Sequence, residues 1–149
     1  GSKGLGLAMA EGLASAGANV MLVSRTLKEG EESAARISEL YGVKAIAYEA
    51  DVVEKEQTEA MAKAAFDAFG RIDILINSAG INIRGAIDEL QLEEFSKVMD
   101  INVTGTWLCC KAVTPYMKDA GQGRIINLAS TLGYRIELHM HPAKVQLFK

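Results

Sequence analysis

Long hydrophobic runs are missing from this sequence. No apolar stretch approaches the ~18 residues of a membrane span, and no charged-then-apolar leader opens the chain, so no membrane partner is expected. A basic cluster is missing as well. Lys and Arg number 16 against 19 Asp and Glu, giving a formal net charge of -3. Phosphate neutralisation needs a concentrated positive face, so nucleic acid is not an expected partner. Cysteine is scarce. Cys109 and Cys110 are adjacent, which rules out ordinary disulfide geometry between them and reads as two half-buried thiols in a reduced, cytoplasmic protein. His139 and His141 lack further ligands at metal-site spacing, so no metal is expected. Internal repeats and linkers are also absent.

What is present suits a single domain spanning residues 1–149, because 49% hydrophobic and 23% charged residues are close to the average for a globular unit with one core. Helical and strand patterns alternate along it. From Gly4, the residues Leu5, Met9, Leu13 and Ala16 recur at helical spacing, and Gly17 stands where a helix end wants a left-handed residue. Asn19 to Ser24 is a short apolar strand. Leu27 to Tyr41 is a helix with Ala34, Ile37 and Leu40 available to a core, ended by Gly42. Lys44 to Glu49 is a strand, and Glu54 to Phe69 a helix with Met61, Ala65 and Phe69 on one face, stopped by Gly70. The run Ile72 to Ile76 lacks alternation and is rich in β-branched residues, as in a strand buried on both faces of a parallel sheet. Leu92 to Ala120 reads mostly as helix, interrupted near Asn102 and Gly105, and Gly123 to Leu128 is a last strand. This order predicts an α/β fold, a Rossmann-like doubly wound parallel sheet.

The chain starts at Gly1 with no strand ahead of it and stops at Lys149 in mid-pattern. It therefore reads as a fragment lacking the first strand and the C-terminal strands. In the strand order 3-2-1-4-5-6 the first strand lies between the second and the fourth. Its absence would leave two unpaired edges in the middle of the sheet, so residues 1–149 alone are not expected to fold cooperatively.

Several stretches carry chemistry. Ser2-Lys3-Gly4-Leu5-Gly6 opens a helix, where glycines let backbone N–H groups approach a phosphate and the helix dipole favours the anion. The strand that follows ends in Ser24-Arg25 with no acid. An acid at this place holds a ribose 2′-hydroxyl, whereas Arg pairs with a 2′-phosphate, so NADP is expected over NAD. An exposed Arg closing a strand remains the alternative. Asp51-Val52 follows the next strand, where Asp51 either accepts from an adenine amino group or caps the next helix. Asn77-Ser78-Ala79-Gly80 gives a small, polar strand exit at which a cofactor meets backbone, with Asn77, Ala79 and Gly80 as contacts.

The ordered set Gly4-Leu5-Gly6, Asp51-Val52, Asn77-Ser78-Ala79-Gly80, Asn102-Val103-Thr104-Gly105 and Ile125-Ile126-Asn127-Leu128-Ala129-Ser130 resembles the short-chain dehydrogenase/reductase family, from Gly1 to about Gly133. Asn82-Ile83-Arg84-Gly85 is similar to the branch of gluconate 5-dehydrogenases and 3-oxoacyl-carrier-protein reductases. The resemblance implies hydride transfer between a nicotinamide and a carbonyl or secondary alcohol, of sugar-acid or 3-oxoacyl type. It implies Ser130 as the group that stabilises the developing oxyanion and Asn102 as the holder of a proton-relaying water. It also implies a homo-oligomer assembled through the long helix around Asn102–Ala120.

One departure from the family pattern stands out. The family places a Tyr four residues before a Lys, which lowers the Tyr pKa toward neutrality. After Ser130 no Tyr-x-x-x-Lys occurs: Met140 stands four residues before Lys144, and Tyr134 follows Ser130 too closely. Ala143-Lys144 faintly resembles the surroundings of the family Lys, which makes Lys144 the candidate. The alternative to an active enzyme is a catalytically inactive module that holds NADP or assembles with other subunits.

Overall fold

The computed structural model describes residues 2–129. Its elements are α1 (Gly4–Ser15), β1 (Val20–Ser24), α2 (Leu27–Tyr41), β2 (Ala45–Glu49), α3 (Lys55–Phe69), β3 (Ile74–Asn77), α4 (Leu92–Met99), a π-helical turn (Asp100–Gly105), α5 (Thr106–Asp119) and β4 (Arg124–Asn127). Glycines set the helix ends. Gly17, Gly42 and Gly70 take φ of 89°, 67° and 74° just beyond α1, α2 and α3, a left-handed conformation that costs a residue with a Cβ.

The described strands form two parallel pairs rather than one sheet. β1 pairs with β2 in the register Val20↔Ala45 to Ser24↔Glu49. β3 pairs with β4 from Ile74↔Arg124 to Asn77↔Asn127. β1 and β3 are not hydrogen-bonded to each other. The break falls where the doubly wound order puts its first strand, so the interruption expected from the sequence is the one observed.

Helices lie on both faces of β1. Val20 and Leu22 turn to one side and meet Ala14 of α1 with Ala34 and Ile37 of α2. Met21 and Val23 turn to the other, against Met61 of α3 and Cys109 of α5. Period-two alternation therefore feeds two separate cores from one strand. β3 is different. Leu75 packs on α3 and α5 beside Ala62, Ala112 and Val113, while Ile74 is 40% exposed and Ile126 of β4 is 48% exposed. The expectation that the central strand is buried on both faces is thus corrected: among the described residues only one face of β3 is covered by helices.

Three smaller expectations also change. The buried stripe of α1 is Leu7, Ala10, Leu13 and Ala14, not Leu5, Met9, Leu13 and Ala16; Leu5 is exposed. Small and apolar residues surround this helix, so its sequence does not fix which side turns inward. Leu40, on the outer side of α2, is exposed. Cys109 is fully buried rather than half-buried, whereas Cys110 is half-buried. Burial, with the neighbouring Cys110 thiol as a smaller contribution, pushes the Cys109 thiol from 9.0 up to about 11.

Candidate functional site

The carboxyl ends of β1, β2 and β3 open onto a common rim. A cavity of about 650 Å³ reaches this rim and is bordered there by Gly6, Ser24, Arg25, Asp51, Val52, Asn77, Ser78, Ala79 and Gly80. Residues far apart in sequence thus share one wall, because every parallel strand delivers its following loop to the same edge. Ser2, Lys3, Gly4 and Leu5 join it through Gly6, in the chain that enters α1.

The opening of α1 has the form an anion requires. Gly4 has φ of 56°, and no neighbouring atom lies within 4 Å of the position a Cβ would take, so backbone conformation rather than packing calls for glycine there. No side chain caps the helix N-terminus. Its first N–H groups are therefore left to a ligand or to water. The Ser2 carbonyl accepts from Ser33 Oγ at 3.4 Å, and Lys3 Nζ lies 2.8 Å from Glu29 Oε1. These contacts tie the turn to α2 and aim the Lys3 ammonium at Glu29.

At the next strand end, Ser24 Oγ donates to the Thr26 carbonyl at 2.9 Å, closing the corner into α2. Arg25 is exposed. Asp51 has a local structural role: its Oδ1 accepts from Val53 N–H at 3.2 Å, and its own N–H donates to Gln57 Oε1 at 2.8 Å. Val52 packs against Gly105, where a Cβ would come within 2.6 Å of Val52 Cγ2. Only a glycine lets the π-helical turn approach the loop after β2 this closely.

Asn77 Nδ2 donates to Asn127 Oδ1 at 2.8 Å and lies 3.4 Å from Cys110 Sγ. It cross-links β3, β4 and α5 at the rim. Asn102 sits in the π-helical turn, the interruption expected within the long helix. Its Oδ1 accepts from Ile81 N–H and its Nδ2 donates to the Ile81 carbonyl, both at 2.9 Å. A side-chain amide has one acceptor and two donors, and here it clamps both backbone groups of one residue. The Ala79-Gly80-Ile81 loop is held to the helix by this pair. Ile81 carries no signal in the sequence, because only its backbone takes part. Ser130, Tyr134, His139, His141 and Lys144 lie outside the described residues. Among the described residues no cluster of His, Cys, Asp and Glu has the makings of a metal site, and no helix is long and apolar enough to cross a membrane.

Known proteins are similar to this chain in sequence and in fold. A family profile described as short chain dehydrogenase matches residues 1–142. The chain is 38% identical over 130 residues to 3beta-hydroxysteroid dehydrogenase 1 of Eggerthella lenta, covering 87% of this chain and 50% of that protein. It is 36% identical over 134 residues to a 3-oxoacyl-[acyl-carrier-protein] reductase of a Synechocystis strain, covering 89% and 53%. Among solved structures, sorbitol-6-phosphate 2-dehydrogenase from Erwinia amylovora superposes with a TM-score of 0.88 at 31% identity, covering 92% of this chain and 54% of that one. An NAD+-bound xylitol dehydrogenase gives 0.86 at 32% identity, covering 91% and 52%. An alcohol dehydrogenase from the archaeon Thermococcus sibiricus, complexed with 5-hydroxy-NADP, gives 0.86 at 29% identity, covering 91% and 57%. The chain spans about half the length of the curated relatives it matches.

Proposed function

This chain belongs to the short-chain dehydrogenase family, and from that premise we propose that its rim holds NADP in preference to NAD for oxidoreduction of a carbonyl or secondary-alcohol substrate. One observation carries the reading: Gly6 of the first turn of α1 and Arg25, Asp51 and Gly80 from three separate loops border a single cavity that reaches the carboxyl ends of the parallel strands. The residues present fit such a cofactor. The uncapped N-terminus of α1, with Gly4 left-handed, presents N–H groups to a pyrophosphate. Arg25, exposed at the end of β1 with no ion-pair partner among the described residues, is the group for a 2′-phosphate. Ser24 shapes the turn beside it, and Asp51 with Val52 forms the wall for a base. Asn77, Ala79 and Gly80 bring backbone to the far side.

When bound, the nicotinamide supplies or accepts hydride at the carbonyl carbon of the substrate. The protein's part is to hold geometry and manage charge. Asn102 positions the loop by clamping Ile81, and by family resemblance it is assigned to hold a proton-relaying water. Ser130 and Lys144 are assigned by family resemblance, Ser130 to steady the substrate oxygen and Lys144 to supply a cation near the proton donor. The substrate class follows the resemblance, a sugar acid or a 3-oxoacyl compound.

The sequence favours a second reading at one point, since it contains no Tyr-x-x-x-Lys. In that reading the chain holds NADP without turnover, or assembles with other subunits. The assembly surface is an apolar stripe on α4, the π-helical turn and α5, where Leu92, Phe95, Met99, Val103 and Trp107 are all exposed. Their spacing of three or four residues keeps them on one side, as in a helix that docks on a second copy.

Fluorescence titration with NADPH and NADH, followed by an assay of NADPH oxidation with a reducible ketone, separates these readings. Tighter binding of NADPH with turnover supports the oxidoreductase. Binding without turnover supports the holding module. Equal affinity for the two cofactors would overturn the NADP preference.

A further inference from the structure

We propose that Glu49 is a specificity-determining residue for the cofactor. Its carboxylate, delivered from β2 to the opening of α2, holds down the preference for a 2′-phosphate and admits a 2′-hydroxyl. This rests on the cofactor reading above and adds to it a residue that no motif marks.

The end of β1 carries Ser24-Arg25 and no acid. Strand pairing brings one from elsewhere. Glu49 is the partner of Ser24 in the parallel register, so the last residue of β2 stands beside the last residue of β1. Its Oε2 accepts from Leu27 N–H at 3.2 Å. Leu27 is the first residue of α2, and the Thr26 side chain ahead of it makes no cap. Glu49 therefore takes the capping place that the Thr26 side chain leaves, at the turn that contains Arg25.

The charges at this corner are mixed as a result. Arg25 is exposed. Lys3 Nζ lies 2.8 Å from Oε1 of Glu29, in the first turn of α2. Two cations thus share the corner with two carboxylates, and both carboxylates already have partners. A 2′-phosphate drawn to Arg25 meets a helix opening that an anion already occupies, so the attraction of the dipole is offset by like-charge repulsion. A 2′-hydroxyl meets the opposite situation. It donates, and an ionised carboxylate only accepts. An acid after this strand is what holds a ribose 2′-hydroxyl, and Glu49 brings that group from the neighbouring strand. Glu49 is itself exposed, so solvent and salt screen its charge and the effect is a tempered preference rather than a reversed one.

Fluorescence titration of the chain with NADPH and with NADH reads the ratio of the two dissociation constants. Glu49→Gln keeps an oxygen for Leu27 N–H and removes the charge, so the corner stays built. The expected result is that NADPH binds about fivefold more tightly while NADH binds no better, with the gain shrinking at high salt. Glu49→Lys should move the ratio further the same way. Glu39→Gln, in the last turn of α2, makes the same change in net charge as Glu49→Gln and should leave the ratio where it was. An unchanged ratio in both Glu49 variants, an equal gain for the two cofactors, or the same shift from Glu39→Gln overturns the proposal and leaves the cofactor reading standing. If the parent chain binds neither cofactor, the reading of the rim falls, and the role of Glu49 falls with it.

Discussion

The two strand pairs of this molecule are built from similar sequences and end in different environments. β1 and β2 lie between α1 and α2 on one side and α3 and α5 on the other, and Leu22 and Ile37 are 2% and 0% exposed. Among the described residues β3 rests on α3 and α5 alone through Leu75, and in β4 Ile125 and Ile126 are 40% and 48% exposed. An apolar strand is thus no guarantee of a two-sided core. Burial depends on which helices the chain supplies to each face: α1 and α2, the neighbours of β1 in sequence, cover one face, and the more distant α3 and α5 cover the other. Between the pairs runs a seam, closed on one side by Cys109, which packs with Met21 and Val23 of β1 and with Leu75 of β3.

The largest effect should come from cutting the two cores in the same way. Ile37→Ala is expected to cost about 3–4 kcal/mol, from lost burial and an uncollapsed cavity, and Ile126→Ala less than about 1 kcal/mol. Urea unfolding followed by circular dichroism reads both. Equal costs would break the comparison, and two separate transitions would sharpen it by showing that the pairs unfold independently.

The seam should respond to alkali. The buried Cys109 thiol is raised from 9.0 to about 11, so the folded form holds its proton more tightly than the unfolded form. Its contribution is therefore fully present below pH 9 and is lost as pH rises toward 11, with an amplitude on the order of 2 kcal/mol. Stability measured from pH 8 to 11 should fall less steeply in Cys109→Ala than in the parent. An unchanged slope would remove Cys109 as a determinant.

Gly105→Ala should push the π-helical turn off Val52, since the added Cβ would sit 2.6 Å from Val52 Cγ2. A loss of about 1–3 kcal/mol is expected. Val52→Ala in the same chain should recover part of it, and a strictly additive double-mutant cycle would refute the contact. The smallest effect belongs to the rim itself. Arg25→Ala should weaken NADPH binding about tenfold and leave NADH binding nearly unchanged, because only NADPH carries the 2′-phosphate. A parallel loss for both cofactors would assign Arg25 to the shared part of the site.

Much of this was legible before any coordinates. Gly17, Gly42 and Gly70 marked the ends of three helices, because a left-handed residue is a local requirement with a local signature. The interruption near Asn102 was legible too, though its π-helical form was not. Arg25, Asp51 and Gly80 stood out because each follows a strand, and Gly6 because it lies in the first turn of a helix; the structure brings all four to the border of one cavity. Ile81 was not, since a backbone partner leaves no trace in residue type. The cross-link from Asn77 to Asn127 and Cys110 was equally hidden, because it joins residues that only the sheet register and the lie of α5 bring together.

The sequence by itself determined where the elements begin and end, their alternation, and which loops gather at one edge, since these follow from periodicity, turn chemistry and the rule that parallel strands share a direction. Only the tertiary structure decided which side of α1 is buried, that Leu5 and Leu40 face outward, and that among the described residues β3 is covered on one face. Those outcomes depend on what each apolar surface finds to pack against. The hydrophobic effect is non-directional and does not name the partner.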